Sequence, residues 1–126
     1  MKFQKQSESF SLSNFIDDEE KLYRAIFSYS NWWKPEKNRP SSAAFKDNEG
    51  GVSVDRDAKR PEYSVINSFK KRFDILRLKA IVNLTTGKCR EIGAYPIYKP
   101  SNTNIYHSEI HESENEIFMS TKKLEK

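Results

Sequence analysis

The side chains with the most chemical potential fall in three short runs. The first is Arg39-Pro40-Ser41-Ser42-Ala43-Ala44-Phe45. A proline-fixed turn that sets a guanidinium beside two hydroxyls can hold an oxyanion: Arg39 offers a planar donor fork, while Ser41, Ser42 and the backbone amides fill in. The same small residues also allow close packing where a chain enters a core, with no ligand involved. The second run is Ser53-Val54-Asp55-Arg56, after Gly50-Gly51. A strand end projects its side chains into the loops that build sites, so Asp55 is a candidate functional carboxylate. It serves equally well as an ion-pair partner of Arg56 or as a cap on the turn.

The third run is Asn104-Ile105-Tyr106-His107-Ser108-Glu109-Ile110-His111. As a strand it puts His107, Glu109 and His111 on one face. Two imidazoles and a carboxylate are zinc-ligand types. Same-face neighbours on a strand stand about 7 Å apart, however, and no second Cys, His or Asp cluster completes a site. No metal or other cofactor is therefore expected. His107 alone, titrating near neutrality, suits a hydrogen-bond donor or general acid-base group; a plain structural histidine fits the same pattern.

Trp32 and Trp33 lie in a loop with Lys34, Lys37 and Arg39. They suit stacking on bases, and equally suit one core anchor beside one rim residue. Cys89 is the only cysteine, so no intrachain disulfide can form, and nothing around it marks a nucleophile. Gly50-Gly51 lacks the strand-to-helix setting and the Lys-Ser/Thr ending of a phosphate-binding loop.

These residues need elements to position them. Residues 1–11 read as a flexible polar leader and 12–126 as a single α+β domain. A short helix is expected over 13–20, capped by Ser13 or Asn14, with the acidic block Asp17 to Glu20 in its first turns. Alternation and aromatic content make 22–29 a strand. Residues 31–40 read as a loop, 41–46 as a short extended piece, 47–51 as a turn and 52–55 as a strand. Pro61 starts the main helix, about 61–73, with Val65, Ile66, Phe69 and Phe73 as its buried stripe and Lys70, Lys71 and Arg72 complementing the dipole of its last turn. A strand follows over 76–84, with Leu76, Leu78, Ala80, Val82 and Leu84 on one face. Residues 85–93 read either as a hairpin turn entering a strand or as a short helix capped by Thr85 or Thr86 and closed by Gly93. Extended segments over 94–98 and 105–111 come next, then a helical tail from Asn115. The expected fold is a small mixed sheet packed with one main helix and short flanking helices.

Composition bounds the function classes. The 126 residues carry a net charge of +4 with 36% hydrophobic and 13% aromatic content, which implies a compact aromatic core under a polar surface. No apolar run approaches the ~18 residues that span a bilayer, and Met1 to Ser9 lacks the apolar stretch of a secretory signal. A cytoplasmic protein with no membrane partner is expected. The positive balance favours anionic partners, nucleic acid or nucleotide among them.

The ordered set Leu22-Tyr23-Arg24, Arg39 to Phe45, Val52-Ser53-Val54-Asp55, and Asn104 three residues before His107 resembles a widespread group of small bacterial proteins with no established activity. In that group the last motif reads Asn-Pro-x-His-Ala; here Ile105 replaces the proline and Ser108 the alanine. The resemblance implies a fold unit covering most of the chain after Leu22, and a short helix over 85–93.

The polar motif residues Arg24, Arg39, Ser41, Ser42, Asp55 and His107 are expected to converge on one face. The leading expectation is a binding module for an anionic ligand or partner, nucleotide or nucleic acid, with Arg24, Arg39, Ser41, Ser42, Trp32 and Trp33 as ligand-binding residues. A small hydrolase or group-transfer enzyme on a nucleotide-like substrate is the alternative, with His107 as acid-base group, Asp55 orienting it and Arg39 neutralising phosphate charge. A protein-interaction component of a larger bacterial system, presenting the aromatic loop and acidic tail, is a third.

Overall fold

In the computed structural model the described residues are 12–28, 33–40, 51–111 and 120–123. The leader, Trp32, Ser41, Ser42, the expected extended piece over 41–46 and most of the 47–51 turn lie outside them, as does most of the tail. The domain is α+β. Its strands are β1 (Lys21–Phe27), β2 (Trp33–Lys34), β3 (Arg39–Pro40), β4 (Val52–Arg56), β5 (Leu78–Thr85), β6 (Tyr95–Tyr98), β7 (His107–His111) and β8 (Ser120–Lys123). Its helices are α1 (Glu62–Arg72) and α2 (Thr86–Glu91), with a 3-10 turn over Pro35–Lys37. The main sheet runs β6-β7-β4-β1-β5-β8, and β2 and β3 form a separate ribbon. Every pairing is antiparallel, so no parallel pair of the kind a mixed sheet contains occurs among the described strands.

Tyr23 pairs with Asp55 and Asp55 with His107, which puts all three on one face. On that face α1 lays Val65 and Phe69 over Tyr23, Ala25, Leu78 and Ile81. The opposite face carries Leu22, Val54, Leu84 and Ile110 with Ile16, Cys89 and Ala94, and Trp33 covers Ile26, Ala80 and Val82. The one-sided pattern expected for β5 is broken by a register shift at Ile26/Phe27. Past that irregularity Leu78 joins the α1 side while Ala80 and Val82 stay on the Trp33 side.

The expected helix over 13–20 is not formed; the chain bends and turns there. Its backbone is used elsewhere: Thr86 N donates to the Glu20 carbonyl at 2.8 Å and Gly87 N to the Asp18 carbonyl at 3.0 Å. These bonds dock the segment on α2, and Ile16 seals the contact at 1% exposure. The 85–93 segment is a short helix, with the Thr85 hydroxyl accepting from Lys88 N at 3.2 Å and Gly93 following at φ +87°. Residues 120–123 of the expected helical tail pair as strand β8 with β5. Among the described residues no helix is long and apolar enough to cross a membrane.

Candidate functional site

Between α1 and the 101–106 loop runs an open groove of about 650 Å³. Its α1 wall is Ser64, Asn67, Ser68, Lys71 and Arg72, and its loop wall is Asn102, Thr103, Asn104, Ile105 and Tyr106. The α1 positions recur at i, i+3, i+4, i+7 and i+8, so they form a polar stripe beside the apolar one that Val65 and Phe69 bury. Spacing thus gives this helix two working faces.

Asp55, 3% exposed, ties the two walls together from below. Arg72 Nη2 donates to its Oδ2 at 2.8 Å, and Asn104 Nδ2 donates to its Oδ1 at 3.0 Å. Asn104 Oδ1 in turn accepts from Tyr106 N at 3.0 Å, which fixes the loop. The Arg72 guanidinium also lies 4.9 Å from the Phe69 ring centroid and 5.0 Å from that of Phe73. Carboxylate and rings together set its plane, yet the side chain stays 30% exposed. Behind Tyr106, the Arg60 guanidinium stacks 3.4 Å from the ring centroid. Arg60 is pinned by bonds to the Asp57 and Arg56 carbonyls, and burial pulls its pKa down despite nearby Tyr106, Asp55 and Asp57.

His107 is the cross-strand partner of Asp55, but its Nδ1 faces the Lys99 carbonyl at 3.0 Å, where it can only donate. Both Asp55 oxygens are engaged by Arg72 and Asn104, and no hydrogen bond joins Asp55 to His107 among the described residues. Glu109 accepts from His111 Nε2 at 2.9 Å and lies 3.5 Å from Lys99 Nζ, so it is held within its own neighbourhood.

Strand alternation separates Arg24 from Asp55 and His107. Arg24 follows Tyr23 and points to the other face, where it is 9% exposed and Nη1 donates to the Ser53 carbonyl at 2.7 Å. Burial lowers its pKa to about 10, which leaves it charged at neutral pH. Trp33 is 7% exposed and acts as a core anchor on that same side, with Lys79 Nζ 5.2 Å from its ring centroid. Arg39 is exposed on the ribbon that Trp33 anchors, paired in register with Lys34. Arg56 does not pair with Asp55 either. It points to the Arg24 side and meets Glu20 in two bonds of 3.0 and 2.6 Å.

Sequence reasoning about chemistry passed over Ser64, Asn67, Ser68, Lys71 and Arg72. The signal was available as the second helical stripe of α1, but the charges of its last turn read as complements of the helix dipole. No family model, curated protein or solved structure matches the chain.

Proposed function

We propose that the domain is a binding module for a phosphate-bearing anion of the nucleotide or nucleic-acid class, and that the groove between α1 and the 101–106 loop is where it binds. The observation that carries this reading is the lining: Lys71 and Arg72 are cationic, Asn67, Asn102 and Asn104 bring carboxamides, Ser64, Ser68, Thr103 and Tyr106 bring hydroxyls, and among the described residues no carboxylate lines the wall. Such a surface donates hydrogen bonds to anionic oxygen from several directions. Asp55, with both oxygens occupied, orients Arg72 and Asn104 and leaves ligand contact to them. The net charge of +4 adds weak long-range attraction for the same class of ligand.

The test is an NMR titration of the full chain with a nucleoside triphosphate and with a single-stranded oligonucleotide at low salt. Binding should shift the side-chain amides of Asn67 and Asn102, and the double variant Lys71→Ala/Arg72→Ala should weaken it roughly tenfold or more, since hydrogen bonds to charged groups are worth about 1.5–3 kcal/mol. Shifts confined to the Trp33–Arg39 ribbon would move the site to the other face of the sheet.

A further inference from the structure

We propose that the groove takes a single phosphate carried on a neutral, hydrogen-bonding body, a monophosphate ester of a nucleoside or a sugar, in preference to a polyanion. This rests on the reading that the groove binds a phosphate-bearing anion; it narrows the anion to one phosphate and admits a sugar beside a nucleoside as the body.

The argument begins with charge. Lys71 and Arg72 bring two cations to the lining, but Asp55 sits directly beneath Arg72 at 2.8 Å and compensates one of them. Lys71 has no ion pair among the described residues, so one full positive charge is left for a ligand. That suits one phosphate group. A polyanion is held by a track of cations along its backbone, each releasing counterions. Here the wall continues instead with uncharged groups: Ser64, Asn67 and Ser68 on the helix, Asn102 and Thr103 opposite.

Those uncharged groups define the rest of the ligand. Asn104 is already committed at both ends of its amide, to Asp55 and to Tyr106 N. Asn67 and Asn102 are exposed, and a carboxamide can both donate to and accept from hydroxyls or a heterocycle edge. Bulk phosphate would leave them in water. An ester with a polar body would engage them, and discrimination would come from that part of the molecule. The aromatic wall residue Tyr106 has one face covered by Arg60 at 3.4 Å, so it offers at most a single stacking surface, not a row of them.

The experiment is calorimetric titration of the full chain with inorganic phosphate, adenosine monophosphate, a hexose 6-phosphate and a single-stranded DNA decamer, each at two salt concentrations. An ester should bind about tenfold or more tighter than inorganic phosphate, as one or two added hydrogen bonds allow, with only a shallow salt dependence, because a small ester has no condensed counterions to release. Asn67→Ala should weaken the ester and leave inorganic phosphate unchanged, while Lys71→Ala should weaken both. Both side chains are exposed, so neither variant endangers the fold. Whichever ester binds tighter identifies the body as nucleoside or sugar. Equal binding of phosphate and both esters would overturn the inference, as would tighter binding of the decamer with a steep salt dependence; either result would leave the anion-binding reading standing. Failure of every phosphate probe to bind would overturn both.

Discussion

Asp55 and Arg56 are neighbours on β4, and each holds half of an arginine–carboxylate pair, but strand alternation sends them to opposite faces of the sheet. The Arg56 pair with Glu20 is sealed: the side chains are 4% and 10% exposed. Arg56 also donates to the Ser13 carbonyl at 2.6 Å, and Ala58 N donates to Glu20 Oε2 at 3.0 Å. Tyr98 closes the arginine from its ring side at 4.6 Å. The Asp55 pair is sealed at one end only. Its carboxylate is 5% exposed, while Arg72 is 30% exposed and faces an open groove. Equal chemistry thus acquires different work from its surroundings. A pair whose arginine uses all three guanidinium nitrogens fastens the 13–20 segment to the sheet, and a pair with donors to spare presents a guanidinium to solvent.

The largest effect should come from breaking the sealed pair. Arg56→Ala strands the Glu20 carboxylate in a buried setting, and loss of one partner of a buried ion pair costs about 3–5 kcal/mol. Against a typical domain stability of about 5–15 kcal/mol, that is a large share. Urea unfolding of the variant should show the midpoint falling accordingly. A loss under about 1 kcal/mol would place the pair with ordinary surface ion pairs and erase the contrast with Asp55.

That contrast was only partly legible in the sequence. The α1 helix and its stripe of Val65 and Phe69 were, because helical spacing is a local property. So was the same-face placement of His107, Glu109 and His111, because alternation is local too. The partners were not. Glu20 lies 36 positions from Arg56 and Asp55 lies 17 from Arg72; which acid meets which base follows from strand order and register, which no local pattern encodes. Arg56, adjacent to Asp55, was the natural partner in sequence and the one that alternation forbids. The acidic run before β1 was misread for a related reason. Its composition suits a helix start, but the carbonyls of Asp18 and Glu20 are taken by α2, a contact made across more than 60 residues. The groove was missed because its α1 wall is polar, and polar helical positions read as solvent-facing until a loop is seen to cross them.

Acid titration sharpens the comparison next. Burial pushes the Glu20 carboxyl upward, but the Arg56 guanidinium, the Ala58 amide and the Asp17 backbone outweigh it, so its pKa in the folded protein lies below the ordinary value of 4.5. A carboxyl depressed on folding contributes stability that is present above its unfolded pKa and is lost as pH falls through the folded one. Urea midpoints of the wild-type protein should therefore decline from about pH 4.5 downward, and Glu20→Gln should flatten that decline while lowering stability at neutral pH. An unchanged acid slope in Glu20→Gln would mean that other carboxyls carry the acid sensitivity.

The smallest effect on stability is expected at Asp55. In Asp55→Asn the amide oxygen can still accept from Asn104, and the new NH2 then faces Arg72, donor against donor. Arg72 is released from the floor, but solvent reaches it already, so the loss should be about 1 kcal/mol, well short of that for Arg56→Ala. Ligand binding should respond the other way round. The freed guanidinium gains charge uncompensated by Asp55 and loses the orientation that Asp55 and the Phe69 and Phe73 rings impose together. An anion held by charge alone would bind Asp55→Asn more tightly than wild type, whereas one held by the fixed geometry of Arg72 would bind it more weakly. The proposed monophosphate site predicts the weaker binding, by roughly tenfold for one charge-assisted hydrogen bond. Calorimetry on this variant beside its urea curve thus separates a floor that positions the arginine from one that merely neutralises it.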